Sequence, residues 1–309
     1  MELNYKLLEK IINIPSPTGF CMNIIAYLSD YLKELGYESY KNKKGNLIVS
    51  VNGKEEYCVG LSAHVDTLGL IVRSINSDGT LRFSPLGGPL LNTYNGEYCK
   101  VFTRNNKVYT GTVLSTSPAV HVFKDASNKE AKEENMAIRL DEVVYKKDDV
   151  KKLGIDNGDI ISIDPKFEIT ESGFVKTRFL DDKASAFLLL EVLRYLKENN
   201  ITPKYSLKFI FTTYEEVGHG CSSIPNIDEL LAVDMGCIGL DLSCTEENVS
   251  ICVKDGSGPY DYNMITNLVN IAKKLNIDYA LDVYPYYSSD ASAALRGGND
   301  IKCALIGTG

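Results

Sequence analysis

Four short clusters of acidic or histidine residues each follow an apolar run in this chain: His64-Val65-Asp66, Asp181-Asp182, Glu215-Glu216 and Asp234. The preceding runs, Cys58 to Ala63, Val175 to Leu180, Leu207 to Phe211 and Leu231 to Val233, read as strands. Burying carboxylates without a partner costs on the order of several kcal/mol apiece, so four such clusters call for a compensating cation. A pair of divalent metal ions is the simplest one.

His64 and Asp66 stand two apart, so on an extended backbone they point to the same side. One can ligate a metal while the other orients it. A metal-bound imidazole usually gives its second ring N–H to an acceptor, which assigns Asp66 to the support of His64. A core histidine paired with an aspartate would leave the same pattern. Asp181-Asp182 precedes a helix opening Lys183-Ala184-Ser185, where a single Asp serves as an N-cap. Two exceed what a cap needs; one carboxylate can bridge two ions while the other caps the helix.

Adjacent glutamates at a buried strand end repel each other unless their roles differ. Glu215 and Glu216 therefore divide into one ligand and one general base acting on a water of lowered pKa, with solvated loop glutamates as the bland alternative. Asp234 is a candidate terminal ligand. Asp241, after Cys237-Ile238-Gly239-Leu240, is its competitor, and either could be a turn residue. The other histidines, His121 and His219, lack a paired pattern and suit structural or substrate-pocket roles. There is no G-x-S-x-G elbow, no Walker A loop and no G-x-G-x-x-G after a strand.

The elements that must position these residues change texture along the chain. Residues 4–36 read as helices broken at Ser16-Pro17-Thr18-Gly19, followed by strands at 45–50 and 57–63, the second apolar enough to be buried on both faces. Residues 70–165 carry short β segments between Gly and Asn, which predicts a small barrel or sandwich, with a charged loop at 127–135. Strand–helix alternation then returns: a helix from about Lys183 to Glu198, strands at 206–214 and 230–234, a helix at 261–275 and another at 289–295. The predicted fold class is α/β, a mostly parallel covered sheet over 1–69 and 166–309 with a small β-barrel inserted at 70–165. In such sheets ligands bind beyond the carboxyl ends of the strands, where all four clusters are expected.

A net charge of −8 and a pI near 5.1 over 309 residues argue against nucleic acid or anionic membrane as a partner. The charged, helix-like stretch from Met1 to Ile12 does not read as a secretion signal, and no apolar run reaches membrane-spanning length. Eight scattered cysteines without a C-x-x-C read as small buried hydrophobes of a reducing compartment. A cytoplasmic location follows as the expectation.

Taken in order, His64-Val65-Asp66, Leu180-Asp181-Asp182-Lys183, Glu215-Glu216-Val217-Gly218 and Ala232-Val233-Asp234 resemble the family 42 metallopeptidases over essentially the whole chain. Glu-Glu-Val-Gly is the most specific element; H-x-D and D-D are shared with related peptidase clans. The resemblance implies a di-metal aminopeptidase of the glutamyl, leucyl or deblocking kind that acts on short peptides and assembles as a tetrahedral dodecamer. It implies zinc or cobalt in two sites, with His64, Glu216 and Asp234 as ligands, Asp181 as the bridge and Glu215 as the base. Ser289 and Asp290 resemble the family's acidic turn near the substrate. A further His ligand is implied shortly after the apolar strand 303–309, where the sequence stops, so the chain is expected to be cut short of it. Two rivals stand beside this reading: a cellulase-like glycoside hydrolase using Glu215 with an Asp, and a catalytically degenerate metal-bound scaffold.

Overall fold

Leu7, Leu8, Ile11 and Ile12 share one buried face of α1 (Tyr5–Asn13), and the Asn4 side chain caps the helix by accepting the Leu7 N–H at 3.2 Å. The structure, a computed structural model, describes residues 3–309; Met1 and Glu2, where the expected N-terminal helix began, lie outside the described residues. Helix α2 (Met22–Glu34) turns Ile24, Ile25, Leu28 and Leu32 inward. Strands β1 (Ser39–Lys41), β2 (Leu47–Val51) and β3 (Glu55–His64) follow.

Residues Thr67–Arg178 form a compact unit of their own, wider than the expected 70–165. Its strands β4 (Gly69–Ile75), β5 (Leu81–Leu86), β6 (Tyr98–Phe102), β7 (Val108–Ser115), β8 (Met136–Leu140) and β9 (Ile160–Ile163) close into an antiparallel barrel in the order β4-β5-β8-β7-β6-β9. Leu70, Val72, Phe83, Val101, Val113, Ile138 and Ile161 fill it, alternating with outward residues as the strand period requires. The acidic–basic run at 147–153 is the surface helix α3 (Lys147–Leu153), ended by Gly154 at φ 88°. A two-stranded ribbon of β10 (Glu168–Ile169) and β11 (Val175–Lys176) completes this unit.

The other compact unit joins Met1–Asp66 to Phe179–Gly309. Its second half runs α4 (Leu180–Glu198), β12 (Tyr205–Thr212), β13 (Glu229–Met235), β14 (Val249–Asp255), β15 (Gly258–Pro259), α5 (Tyr262–Leu275), β16 (Tyr279–Val283), α6 (Asp290–Arg296) and β17 (Lys302–Thr308). A nine-stranded sheet results, ordered β1-β2-β12-β3-β13-β17-β14-β15 with β16 also on β14. Strands β12, β3, β13 and β17 are mutually parallel and form its centre. Both faces of that centre are covered, which is why Phe209, Ile210 and Phe211 are all buried although consecutive residues point to opposite sides. Helix α4 packs against β3 and β13, while Met264, Ile265, Ala291 and Ala294 of α5 and α6 join Ile210, Leu230, Ala232 and Cys303 in one core.

Six strands are absent from the sequence reading: β1, β8, β10, β14, β15 and β16. Met136–Leu140 follows a charged loop, and β14 to β16 mix buried Asp255 and Asp282 with apolar residues, which masks the alternation. The expected strand at 175–180 is also corrected. Only Val175–Lys176 is extended, it belongs to the ribbon, and Leu180 already opens the α4 segment.

Candidate active site

Three of the four clusters sit at the carboxyl ends of adjacent parallel strands. Thr212 of β12 pairs with His64 of β3, and Ala232 of β13 pairs with Ser62, so Asp234, two residues on, is level with His64. Neighbouring strands run about 4.8 Å apart, and side chains at level positions of the same face converge. Asp181-Asp182 reaches the same place by another route. Phe179 adopts the left-handed region at φ 68°, the Asp181–Asp182 peptide is cis, and regular helix begins only after Asp182.

His64 is buried, with Nδ1 2.8 Å from the backbone carbonyl of Asp66. Donation to that carbonyl fixes the tautomer and leaves Nε2 as the ligating atom. Nε2 lies 2.9 Å from Asp181 Oδ1 and 3.7 Å from Glu215 Oε2. The expectation that the Asp66 carboxylate orients this ring is corrected: its Oδ1 is 3.7 Å from Nδ1. The carboxylate instead accepts the Glu215 N–H at 3.1 Å, the Glu216 N–H at 3.3 Å and the Thr18 hydroxyl at 2.7 Å. Asp66 thus holds the glutamate turn.

Nor does the second aspartate of the pair cap the regular helix that begins after it, since no helix N–H donates to its carboxylate. Asp182 is fully buried; Oδ2 accepts the His64 N–H at 3.0 Å and Oδ1 has no hydrogen-bond partner. Asp181 is 56% exposed. Glu215 and Glu216 occupy a single 3₁₀ turn, Glu215–Val217, closed by Gly218 at φ 80°. Asp234 is buried and accepts the Met235 N–H at 2.6 Å.

Ligand-capable atoms cluster twice within 4.8 Å: His64 with Glu215 and Asp234, and His64 with Asp181 and Glu216. Burial pushes Glu216 up to about 8 and Asp234 up to about 7, and it raises Glu215 and Asp182 well above the ordinary carboxylate range. For His64, burial opposes the charge, but the Asp181 hydrogen bond and the fields of Glu215 and Asp234 outweigh it and hold the imidazole well above its usual value.

Among the described residues no lysine or arginine forms an ion pair with Asp181, Asp182, Glu215, Glu216 or Asp234. The one buried lysine beside them, Lys183, donates to the carbonyls of Ile14 at 2.7 Å and Ile12 at 3.3 Å instead. Carboxylates crowded around one buried imidazole, with Asp182 and Asp234 buried and one Asp182 oxygen orphaned, fit divalent cations.

The comparisons with known proteins agree with this geometry. Residues 45–309 match the family described as M42 glutamyl aminopeptidase. The chain belongs to that family. It is 47% identical to the protein YhfE of Bacillus subtilis (strain 168) over 307 residues, 98% of this chain and 89% of that protein. Among solved structures, the TET aminopeptidase of Thaumarchaeota archaeon SCGC AB-539-E09 superposes with a TM-score of 0.88 at 22% identity, covering 98% of this chain and 87% of that one. The Pyrococcus horikoshii TET1 peptidase, described as assembling into a tetrahedron or a large octahedral shell, follows at 0.84 and 23%, with 98% and 90% covered.

As an M42 aminopeptidase the protein is a metal-dependent hydrolase, a reading better supported than the glycoside hydrolase one. The remaining expected site residues fall outside its ligand groups. Asp241 is exposed at φ 61° in the loop after β13, His219 is exposed and stacks on Tyr214 at 4.9 Å, and His121 is exposed in the barrel unit. Ser289 and Asp290 are buried with their polar atoms engaged by the protein, which corrects their assignment to substrate contact. Two residues of the site were missed in the sequence. Thr18 lies far from any motif, and Tyr287, whose hydroxyl is raised by burial and by the fields of Asp234 and Asp181, follows a run of tyrosines that carries no signal.

Proposed function

We propose that His64, Asp181, Glu216 and Asp234 hold two divalent ions, zinc or cobalt, and that Glu215 is the general base for removal of N-terminal residues from short peptides. The observation that carries this reading is the gathering of ligand-capable atoms of His64, Asp181, Glu215, Glu216 and Asp234 without a protein cation; the single free Nε2 of His64 would serve one ion and carboxylates the other. Asp181 acts electrostatically on both Glu216 and Asp234, which supports a bridging place between the two groups. When bound, the ions supply Lewis acidity for the scissile carbonyl and acidify a water.

The chain's own residues do the rest. Glu215 takes a proton from water and passes it to the leaving amine, and its buried carboxyl, raised well above the usual range, suits that exchange. Asp66 fixes the turn that carries Glu215 and Glu216 through their backbone N–H groups. The negative field of the cluster favours a substrate presenting an α-ammonium group.

Self-association into a closed shell, a dodecamer, is proposed by likeness to the Pyrococcus horikoshii peptidase and to the PhTET1-12s structure described as a dodecamer. Eight free cysteines, six of them buried, suit a reducing compartment such as the cytoplasm, and among the described residues no helix is long and apolar enough to cross a membrane. The test is Glu215→Gln in the metal-loaded protein. Turnover of short peptides should fall by about 10²- to 10⁴-fold with bound metal unchanged; a variant that keeps its rate would remove Glu215 from the chemistry.

A further inference from the structure

We propose that Asp290 is a positioning residue that clamps both ends of the segment bearing Glu215 and Glu216, an inference that rests on the role of Glu215 given above. Asp290 is the first residue of α6, far from the glutamates in sequence, and only 2% exposed. Its Oδ2 accepts the Thr212 hydroxyl at 2.5 Å and its Oδ1 accepts the Cys221 N–H at 2.8 Å. Thr212 is the last residue of β12, paired with His64, and Cys221 lies just beyond the glutamate turn. One carboxylate therefore ties residue 212 to residue 221 across residues 213–220.

The loop is shaped around this clamp. A Cβ on Gly220 would collide with Asp290 Oδ1 and stand 3.2 Å from the Glu215 nitrogen, so the carboxylate and the backbone of the base share the same glycine surface. Asp66 grips the middle of the segment through the Glu215 and Glu216 N–H groups. With the middle and both ends held, the turn has few ways to move its side chains relative to His64.

The clamp is itself anchored. Ser289 caps α6 in a capping box with Ser292, and Tyr260 bonds to Ser289 Oγ at 2.7 Å and to the buried Asp255 carboxylate at 2.8 Å, which also accepts the Ser292 hydroxyl. These bonds fix the backbone from which Asp290 projects. The Cys221 N–H can only donate, so an amide must keep its oxygen there and turn N–H₂ toward Thr212, whose hydroxyl would have to reverse and give up its charge-assisted bond. Since both oxygens are occupied by the protein, Asp290 acts on the reaction through the turn and not through substrate.

The test compares the full chain with Asp290→Asn, Thr212→Val, Thr212→Ser and Glu215→Gln, each saturated with zinc or cobalt and assayed on aminoacyl p-nitroanilides with kcat, KM and bound metal measured separately. Displacing a base by about 1 Å costs on the order of 100-fold, so Asp290→Asn should lower kcat by about that factor with bound metal as in the parent. KM should move by less than about threefold, because binding of substrate is not what the clamp provides. Thr212→Val removes one of the two bonds and should cost kcat about tenfold, with Thr212→Ser restoring it. An unchanged kcat in Asp290→Asn, or a loss confined to KM, would overturn the proposal. Should Asp290→Asn fail to fold, equal kcat in the Val and Ser variants would overturn it as well. Turnover persisting in Glu215→Gln would instead sink the base assignment, whereas a Glu215-dependent enzyme indifferent to Asp290 and Thr212 would sink the clamp alone.

Discussion

The barrel unit and the carboxyl edge of the central sheet treat acidic residues in opposite ways. On the barrel unit, Glu133 pairs with Arg73 at 2.6 Å, Asp156 with Lys151 at 2.5 Å and Glu97 with Lys166 at 2.6 Å, all at least partly in water. At the sheet edge, Asp182, Glu215, Glu216 and Asp234 are gathered around one imidazole, and the lysine beside them turns away to backbone carbonyls. The first arrangement is complete with the protein's own charges. The second is complete only with charges from outside, and that difference, not the number of carboxylates, marks the site.

The largest expected effect breaks the comparison outright. Chelation should bring peptide hydrolysis to background and added zinc or cobalt should restore it, measured by amino-acid release, while far-ultraviolet circular dichroism of the protein stays unchanged. Asp182→Asn comes next, because it removes the charge with an orphaned oxygen. Metal affinity should weaken by about 10- to 100-fold, as for groups that support ligands from behind. The melting temperature of the metal-free variant should equal or exceed that of the parent; a large fall would mean that the charge is stabilised by the protein alone.

The pH dependence of stability sharpens the same point. In the metal-free protein Glu216, at about 8, and Asp234, at about 7, keep protons that an unfolded chain releases near pH 4. The native state then binds more protons than the unfolded one between those values. Metal-free stability should therefore be greatest at the acidic end and fall as pH rises from about 5 to about 8, as urea titrations would show. Metal binding competes with those protons, so affinity should rise across the same window, with proton release measurable by calorimetry in buffers of different ionisation enthalpy. The smallest effect belongs to the barrel: Arg73→Ala should change stability by no more than about 1 kcal/mol and leave kcat alone.

The architecture was legible in the sequence where periodicity is strong. Leu207–Phe211 and Leu231–Val233 announce buried parallel strands, and the change of texture between residues 70 and 165 announces the barrel. Strands β14 and β16 were not legible, because Asp255 and Asp282 are buried for polar reasons, Asp282 by accepting the Ser243 and Cys244 N–H groups at 2.7 and 2.9 Å. At the site, His64, Glu215, Glu216 and Asp234 stood out because strand ends in a parallel sheet converge. Asp66 was picked out as well, but its partner was misread, because a two-residue spacing shows the side of the strand and not which N–H groups arrive there from residues 215 and 216.

By itself the sequence determined the chemistry available: carboxylates and one histidine at strand ends, no nucleophile motif, and a set of charges that the chain does not balance locally. Local pattern suffices for this because strand periodicity and residue type are properties of neighbours in the chain. Tertiary structure alone decided which groups lie within ligand distance of one another and which act through others. The tie from Asp290 to Thr212 and Cys221, the grip of Asp66 on the glutamate turn and the withdrawal of Lys183 to α1 each join residues distant in sequence. Such contacts depend on how β3, β12, α4 and α6 pack, and no local spacing encodes them.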